Sequence, residues 1–419
     1  MDATLPTNTD VLVVDSPAKE APPATVARTP ARLISLDAFR GLAMVLMVSA
    51  GLGIPAVAKA YPNHPLWQRL AFHTDHVAWT GCGLWDLIQP CFMFMVGAAI
   101  PFSIASRLAK GQSFTRMFFH AFWRALALTA LGVFLASTDA TVKQTNWTFT
   151  NVLAQIGLGY LFLFLLAWIK PRWQLTVALS ILVAYWLAFA LYPAPAADFD
   201  FASVNAAGWP YHLQGFAAHW EKNTNLGAAF DHWFLNLFPR KETFTGNEGG
   251  YLTLNFIPSL VTMTFGLLAG GLLRSPMSSG RKILILLGAG AIGLGVGYLL
   301  DFAGICPIVK RIWTPSWTLF SAGWALLGLA FFYLTLDVLR VRFWALPLVM
   351  VGMNSIAVYC MSQLMKPFIR ESIRKHLGQD IFTKPGGATY IPMAETATVL
   401  LVIWLVAAWM YRRRVFLKI

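Results

Sequence analysis

Ten stretches of about 20 mostly apolar residues recur along this 419-residue chain, and that recurrence limits its fold more than any other feature. Twenty residues of α-helix rise about 30 Å, the thickness of a bilayer's hydrocarbon core. The stretches run roughly over 33–57, 82–106, 117–137, 149–169, 173–192, 251–273, 282–300, 317–338, 343–363 and 392–411. Lipid offers no partner for backbone N–H and C=O groups, so each stretch must satisfy its own as helix. The expected fold is therefore all-α: a polytopic integral membrane protein of about ten transmembrane helices. Charged residues make up 12% of the chain, against about 25% in a soluble domain. That deficit excludes a disordered chain and an ordinary water-soluble enzyme.

The net charge of +13 does not indicate nucleic acid, because the basic residues fall in short clusters between apolar runs. With the N-terminus inside, the inner loops carry Arg107, Lys110 and Arg116, then Lys170 and Arg172, then Arg274, Arg281 and Lys282, then Arg340 and Arg342. Arg412, Arg413, Arg414 and Lys418 add to that side at the tail. The opposite short loops carry Arg69, Lys143, Lys310 and Arg311. The last outer loop runs against the trend, with Lys366, Arg370, Arg374, Lys375 and Lys384. Early loops dominate orientation, so both termini are expected inside. Residues 1–32, rich in Pro, Ala, Thr and Asp, read as a disordered cytoplasmic arm, and 33–419 as one membrane domain with a long outer loop over 193–250. Cys82, Cys91, Cys306 and Cys360 show no metal spacing; a Cys82–Cys306 bridge across outer loops is one arrangement, and small buried thiols are the other.

An ionised side chain at a helix centre costs about 2.5–3.5 kcal/mol on insertion scales, so each one asks for a reason. Asp37 and Arg40 open the first stretch, Asp86 opens the second, and Arg124 sits two turns into the third. Local pairing accounts for Asp37 and Arg40, and snorkelling to headgroups for Arg124, as well as function does. Asp86 and Asn354 have no long stem with which to reach water. Among the histidines, His64, His73 and His76 crowd the first outer loop, and His212, His219 and His232 the long one. His73 and His76 have a metal-like spacing, but no cysteine and few acids accompany them, so no metal is expected. A histidine just outside the membrane, about ten residues before Asp86, suits a general base instead.

The segment HVAWTGCGLWDLIQPCFMFMVGAAIPFSI resembles the histidine–aspartate signature of the heparan-α-glucosaminide N-acetyltransferases and their bacterial relatives. SLDAFRGLAMVLMV, FWRALAL, NVLAQIGLGYL, NFIPSLVTMTFGLLAG, RIWTPSWTLFSAGWALL and VGMNSIAVY are similar to other helices of that family, in the same order. Two positions depart from its pattern: Ser49 stands where the family has Asn, and Ile156 follows Gln155 where the family has Arg.

The resemblance implies transfer of an acetyl group from cytosolic acetyl-CoA to an amino sugar or glycan on the far side of a membrane. It makes His76 the counterpart of the family's active-site histidine and Asp86 the acid that follows it. In a direct mechanism His76 takes the amine proton while Asp86 fixes the ring; in a two-step alternative His76 is acetylated first. Asn255, Ser316 and Asn354 are candidates for substrate contact through a developing oxyanion, and Trp79 for stacking on a sugar. Helix packing explains the first three, and interfacial anchoring Trp79, equally well. Arg40 and Arg124 are the candidates for the phosphates of CoA. Membrane lipid is the other partner, nucleic acid is not one, and a homodimer is compatible with the chain. The setting expected is a bacterial inner membrane. A secondary transporter of N-acetylglucosamine or a related amino sugar is the alternative, since intramembrane charge and glycine-rich spans such as LLGAGAIGLGVGYLL suit it too.

Overall fold

The computed structural model describes residues 33–138 and 143–417; among these there is no strand beyond one antiparallel bridge, Thr80 to Val309. The expected arm over 1–32, and Lys418, lie outside the described residues. The first apolar stretch is α1 (Ile34–Ser49), which breaks over 50–53 and resumes as the short α2 (Ile54–Ala58). α3 (Pro65–Thr74) follows, then α4 (Ile88–Leu108), α5 (Phe114–Ala136), α6 (Val152–Leu166) and α7 (Pro171–Leu191). The long loop contains α8 (Leu226–Leu235). The second half holds α9 (Phe256–Arg274), α10 (Ser279–Phe302), α11 (Pro315–Phe332), α12 (Leu346–Gly352), α13 (Ser355–Leu364), α14 (Lys366–Leu377) and α15 (Ile391–Arg412). The protein is an all-helical, polytopic membrane protein. Among the described residues eight helical stretches are long and apolar enough to cross a bilayer.

Local chemistry sets the helix ends. Ser113, Asn151 and Thr314 cap α5, α6 and α11 by accepting from the backbone N–H three residues on. Proline at the first position opens α7 and α11, where its missing N–H costs nothing.

Helix packing relies on small residues, because lipid gives no hydrophobic drive to associate. α4 and α9 cross at Gly97, Gly266 and Gly270: a Cβ on Gly97 would stand 1.8 Å from the Met263 carbonyl oxygen, and one on Gly266 1.9 Å from that of Phe94. The glycine-rich stretch of α10 lies against α11 in the same way, at Gly290, Gly293, Gly297 and Gly323. Close helix packing thus accounts for Gly290, Gly293 and Gly297, while a Cβ on Gly288 or Gly295 would meet nothing within 4 Å. Met44, Met93, Phe94, Met95, Met263 and Trp317 fill the interior.

Besides the first, two apolar stretches are not straight spans. α6 is a 15-residue helix, about 22 Å long and short of the hydrocarbon thickness. Its approach segment is extended, pinned where Gln155 Nε2 donates to the carbonyls of Phe149 and Thr253, and where Asn151 Nδ2 donates to that of Gly132. The stretch over 343–363 is broken between α12 and α13, which meet at 78°. There the Leu417 N–H donates to Asn354 Oδ1 at 3.2 Å, and Arg40 Nη1 donates to the Gly352 carbonyl at 3.5 Å.

Candidate active site

Asp86 sits in the tight turn Leu84–Leu87 that leads into α4, where it is 1% exposed. Its Oδ2 accepts the backbone N–H groups of Gly83 at 3.0 Å and Val77 at 3.2 Å. This leaves Oδ1 pointing at the loop after α3, where His76 Nδ1 lies 2.8 Å away. The imidazole is about one-third exposed, and it faces a cavity of 440 Å³. Met47 and Ala50 of the first stretch, Gln89 of α4, Asn151 before α6 and Tyr359 of α13 form other parts of its wall.

A third charged group completes the cluster, and sequence reasoning missed it. Lys310 Nζ is 2.9 Å from His76 Nδ1 and 3.3 Å from Asp86 Oδ1. Its loop is carried there by the bridge between Thr80 and Val309 and by the Gly81 N–H donating to the Ile308 carbonyl at 2.9 Å. Asp301 Oδ1 accepts the Ile308 N–H, and the Thr314 hydroxyl donates to the Pro307 carbonyl, so the loop is held at both ends. Burial pushes the Lys310 ammonium down to about 8, even with the Asp86 carboxylate pulling the other way. In the sequence Lys310 was only one of two basic residues in an outer loop. Its signal was a lysine five residues before the start of α11, which does not separate a site from a surface charge.

A second, smaller cavity of 80 Å³ lies deeper along the same helices. Arg40 and Arg124, far apart in sequence, both line it. The Arg124 guanidinium stands over the Tyr160 ring, 4.8 Å from its centroid, and its Nε has no hydrogen-bond partner among the described residues. On α4, Ile88 and Gln89 face the His76 cavity while Phe92, Val96 and Ser103 face the Arg124 cavity. On α13, Tyr359 and Gln363 face the first while Ser355 and Ile356 face the second.

The remaining candidates stand elsewhere. Trp79 is 2% exposed beneath the long loop, donating from Nε1 to the Trp220 carbonyl and packed edge-on to Trp209, so both ring faces are covered by protein. Ser316 donates to the Pro307 carbonyl at 2.7 Å, the same carbonyl that the Thr314 hydroxyl bonds, and so helps to hold the Lys310 loop. Asn255 Nδ2 donates to the Arg311 carbonyl, steadying the other end of the same loop. Asn354 lies at the break between α12 and α13. None of these four is in the wall of the His76 cavity. Cys82 and Cys306 are both free thiols, pushed up by burial to about 12 and about 11, so the bridge considered between them is absent. Among the described residues no group of three or more His, Cys, Asp or Glu is placed to hold a metal ion.

The family model described as "Domain of unknown function (DUF5009)" matches residues 32–206, the segment carrying Arg40, His76, Asp86 and Arg124. Heparan-alpha-glucosaminide N-acetyltransferase of Homo sapiens is 25% identical over 95% of this chain and 62% of its own length. The Mus musculus protein of the same name is also 25% identical, over the same shares of each chain. The chain is similar to those acetyltransferases along nearly all of its own length. It spans about 62% of their length, and the aligned part includes both cavities.

Proposed function

We propose that the protein is a transmembrane acyltransferase that takes the acetyl group of acetyl-CoA on the cytosolic side and places it on an amino sugar or glycan on the other. The observation that carries this reading is the stacking of the two cavities on shared helices. Gln89 and Phe92 lie within one turn of α4, so the two linings begin about 5 Å apart along that helix. From Gln89 to Ser103 the same helix rises about 21 Å, a distance that an extended pantetheine arm covers. Arg40 and Arg124 would meet the phosphate-bearing end of CoA and His76 the thioester end. The names of the distant relatives support the acetyl donor and the amino-sugar acceptor. The excess of Lys and Arg in the inner loops supports both termini inside and His76 outside.

Chemically, an amine attacks a thioester carbonyl only with its lone pair free. His76 Nε2, turned to the cavity while Nδ1–H bonds Asp86, would accept the proton as the N–C bond forms and the C–S bond breaks. Such assistance is commonly worth about 10²–10⁴-fold. A backbone-held carboxylate suits the orienting part, because Asp86 Oδ2 is fixed by two N–H groups and cannot swing away.

One observation favours the transporter reading: the 78° break between α12 and α13, beside a cavity, is the kind of discontinuous span that transporters use. The two readings part in one experiment on detergent-purified protein. Transfer of label from acetyl-CoA to glucosamine, lost in His76→Ala, is the expected result. No transfer by wild type, with uptake of N-acetylglucosamine into reconstituted vesicles, would replace it by the transporter.

A further inference from the structure

His76 Nδ1 has two polar neighbours and only one bonding position in the plane of the ring. Asp86 Oδ1 at 2.8 Å is an acceptor and requires an N–H there. An ammonium at Lys310, 2.9 Å away, has donors only and requires a lone pair there. Both demands cannot be met at once. A neutral amine at Lys310 removes the conflict, since its lone pair can face the Nδ1–H while one of its own N–H groups points to Asp86 Oδ1 at 3.3 Å.

We propose that Lys310 is the positioning residue that decides which nitrogen of His76 carries the proton, and that it takes up the proton that His76 removes from the acceptor amine. As a neutral amine it leaves Nδ1–H on Asp86 and the Nε2 lone pair in the cavity, where it is a base. As an ammonium it donates to Nδ1, shifts the ring to the Nε2–H form, and the base is gone. This rests on the acyltransferase reading only for its second half; the choice of tautomer belongs to the geometry alone.

The relay balances. As the amine nitrogen bonds the thioester carbon, its proton passes to Nε2 and the Nδ1 proton crosses to Lys310 Nζ. Neutral imidazole, now Nε2–H, and an ammonium remain. When the C–S bond breaks, the Nε2 proton goes to the leaving thiolate while Lys310 returns one to Nδ1, which restores the starting state. An unperturbed thiol titrates near 8.5, so a lysine pushed down to about 8 by burial gives the proton back to thiolate almost without cost. An ordinary lysine near 10.4 would keep it.

The other charged and titratable groups around the pair are Asp86, Cys82, Arg311, Tyr251 and Asp75. Cys82 and Tyr251 are held in their neutral forms by burial, which raises both. Arg311 lies with its guanidinium over the Tyr251 ring and adds a fixed positive charge that also lowers Lys310.

The test is nitrogen NMR of the full chain in detergent with ¹⁵N-labelled histidine, the His76 signals being identified by their loss in His76→Gln. In wild type the shifts of Nδ1 and Nε2 are expected to exchange places as pH is raised through about 8. Lys310→Met should stay Nδ1–H, and Lys310→Arg, permanently charged, should stay Nε2–H, wherever the ring is neutral. A wild-type ring that keeps one tautomer throughout, or a Lys310→Met ring that follows wild type, overturns the proposal. Acetyl transfer then reads the second half: wild-type kcat/KM should rise with pH through about 8, Lys310→Arg should lose about 10²–10⁴-fold, and Lys310→Met should lose the alkaline rise. A Lys310 that only holds the loop would be rescued by arginine with an unchanged pH profile. If wild type transfers no acetyl but the tautomer exchange is present, the acyltransferase reading fails and the control of the imidazole by Lys310 stands.

Discussion

Replacing Asp86 by asparagine removes one charge from the cluster and leaves the side chain almost the same size. The new amide has one oxygen and one NH₂, and the surroundings fix which goes where. Two backbone N–H groups, of Gly83 and Val77, already point at the Oδ2 position and need an acceptor. The oxygen therefore takes that side, and the NH₂ faces His76 Nδ1 at what was a 2.8 Å contact to an acceptor. Nδ1 must then offer a lone pair, so the proton moves to Nε2 and the base in the cavity is lost. A loss of about 10²–10⁴-fold in kcat/KM corresponds to about 2.7–5.4 kcal/mol in the barrier. The fold should survive the change. Lys310, left without its counter-ion, can shed its proton from a starting point of about 8, which at pH 7 costs about 1.4 kcal/mol. The assay is acetyl transfer from labelled acetyl-CoA between pH 6 and 9, with thermal unfolding followed on the same preparation. An Asp86→Asn protein that is folded and stays within tenfold of wild type across that range would refute the orienting role.

Arg40→Met and Arg124→Met are each expected to weaken acetyl-CoA binding by about 10- to 100-fold, the worth of a charge-assisted hydrogen bond, while kcat at saturation changes little; direct binding measurements check this. Gly97→Ala puts a methyl 1.8 Å from the Met263 carbonyl oxygen, so α4 and α9 must part, and a loss of about 1–3 kcal/mol should appear in denaturant unfolding. Asp231, on α8 in the long loop, is pushed up to about 6 by burial, with the Thr253 N–H donating to it pulling down. Its folded value lies above the unfolded one, so the stability it contributes is full below about pH 4 and lost as pH rises through about 6. Asp231→Asn should therefore raise the melting temperature at pH 7.5, by up to about 3 kcal/mol of stability, and do little at pH 4.

Much of this was legible in the sequence, for physical reasons that differ from residue to residue. Apolar runs near 20 residues declare themselves, because lipid leaves an α-helix few alternatives. His76 and Asp86 lie ten residues apart on one loop and turn, so a local motif can announce their meeting. Arg40 and Arg124 were conspicuous as cations within apolar stretches, and they do share a cavity. Lys310 was not legible: it is 234 residues from His76 and reaches it only through the folded 306–314 loop. The polar residues that sequence singled out nearby, Asn255 and Ser316, hold that loop instead of lining the cavity. A side chain's chemistry can be read from its type, but whether it binds a substrate or braces a neighbour depends on a long-range contact.

The interruptions of the apolar stretches follow one rule. Irregular backbone at membrane depth survives only where protein or an aqueous cavity covers it. The break over 50–53 puts Ala50 on the His76 cavity, the extended approach to α6 puts Thr150 and Asn151 there, and the break before α13 puts Ser355 on the Arg124 cavity. α7, α10 and α15 have no such break and line neither cavity. The unbroken α4 and α5 line cavities too, so a break marks where the backbone itself meets a cavity wall and is not needed for side chains to reach one. The written trace of such a break is a cluster of amides and hydroxyls at the edge of an apolar run, as in TNWTFTN before α6 and GMNS before α13. In a chain of this kind those polar interruptions locate a site better than the apolar runs that count the spans.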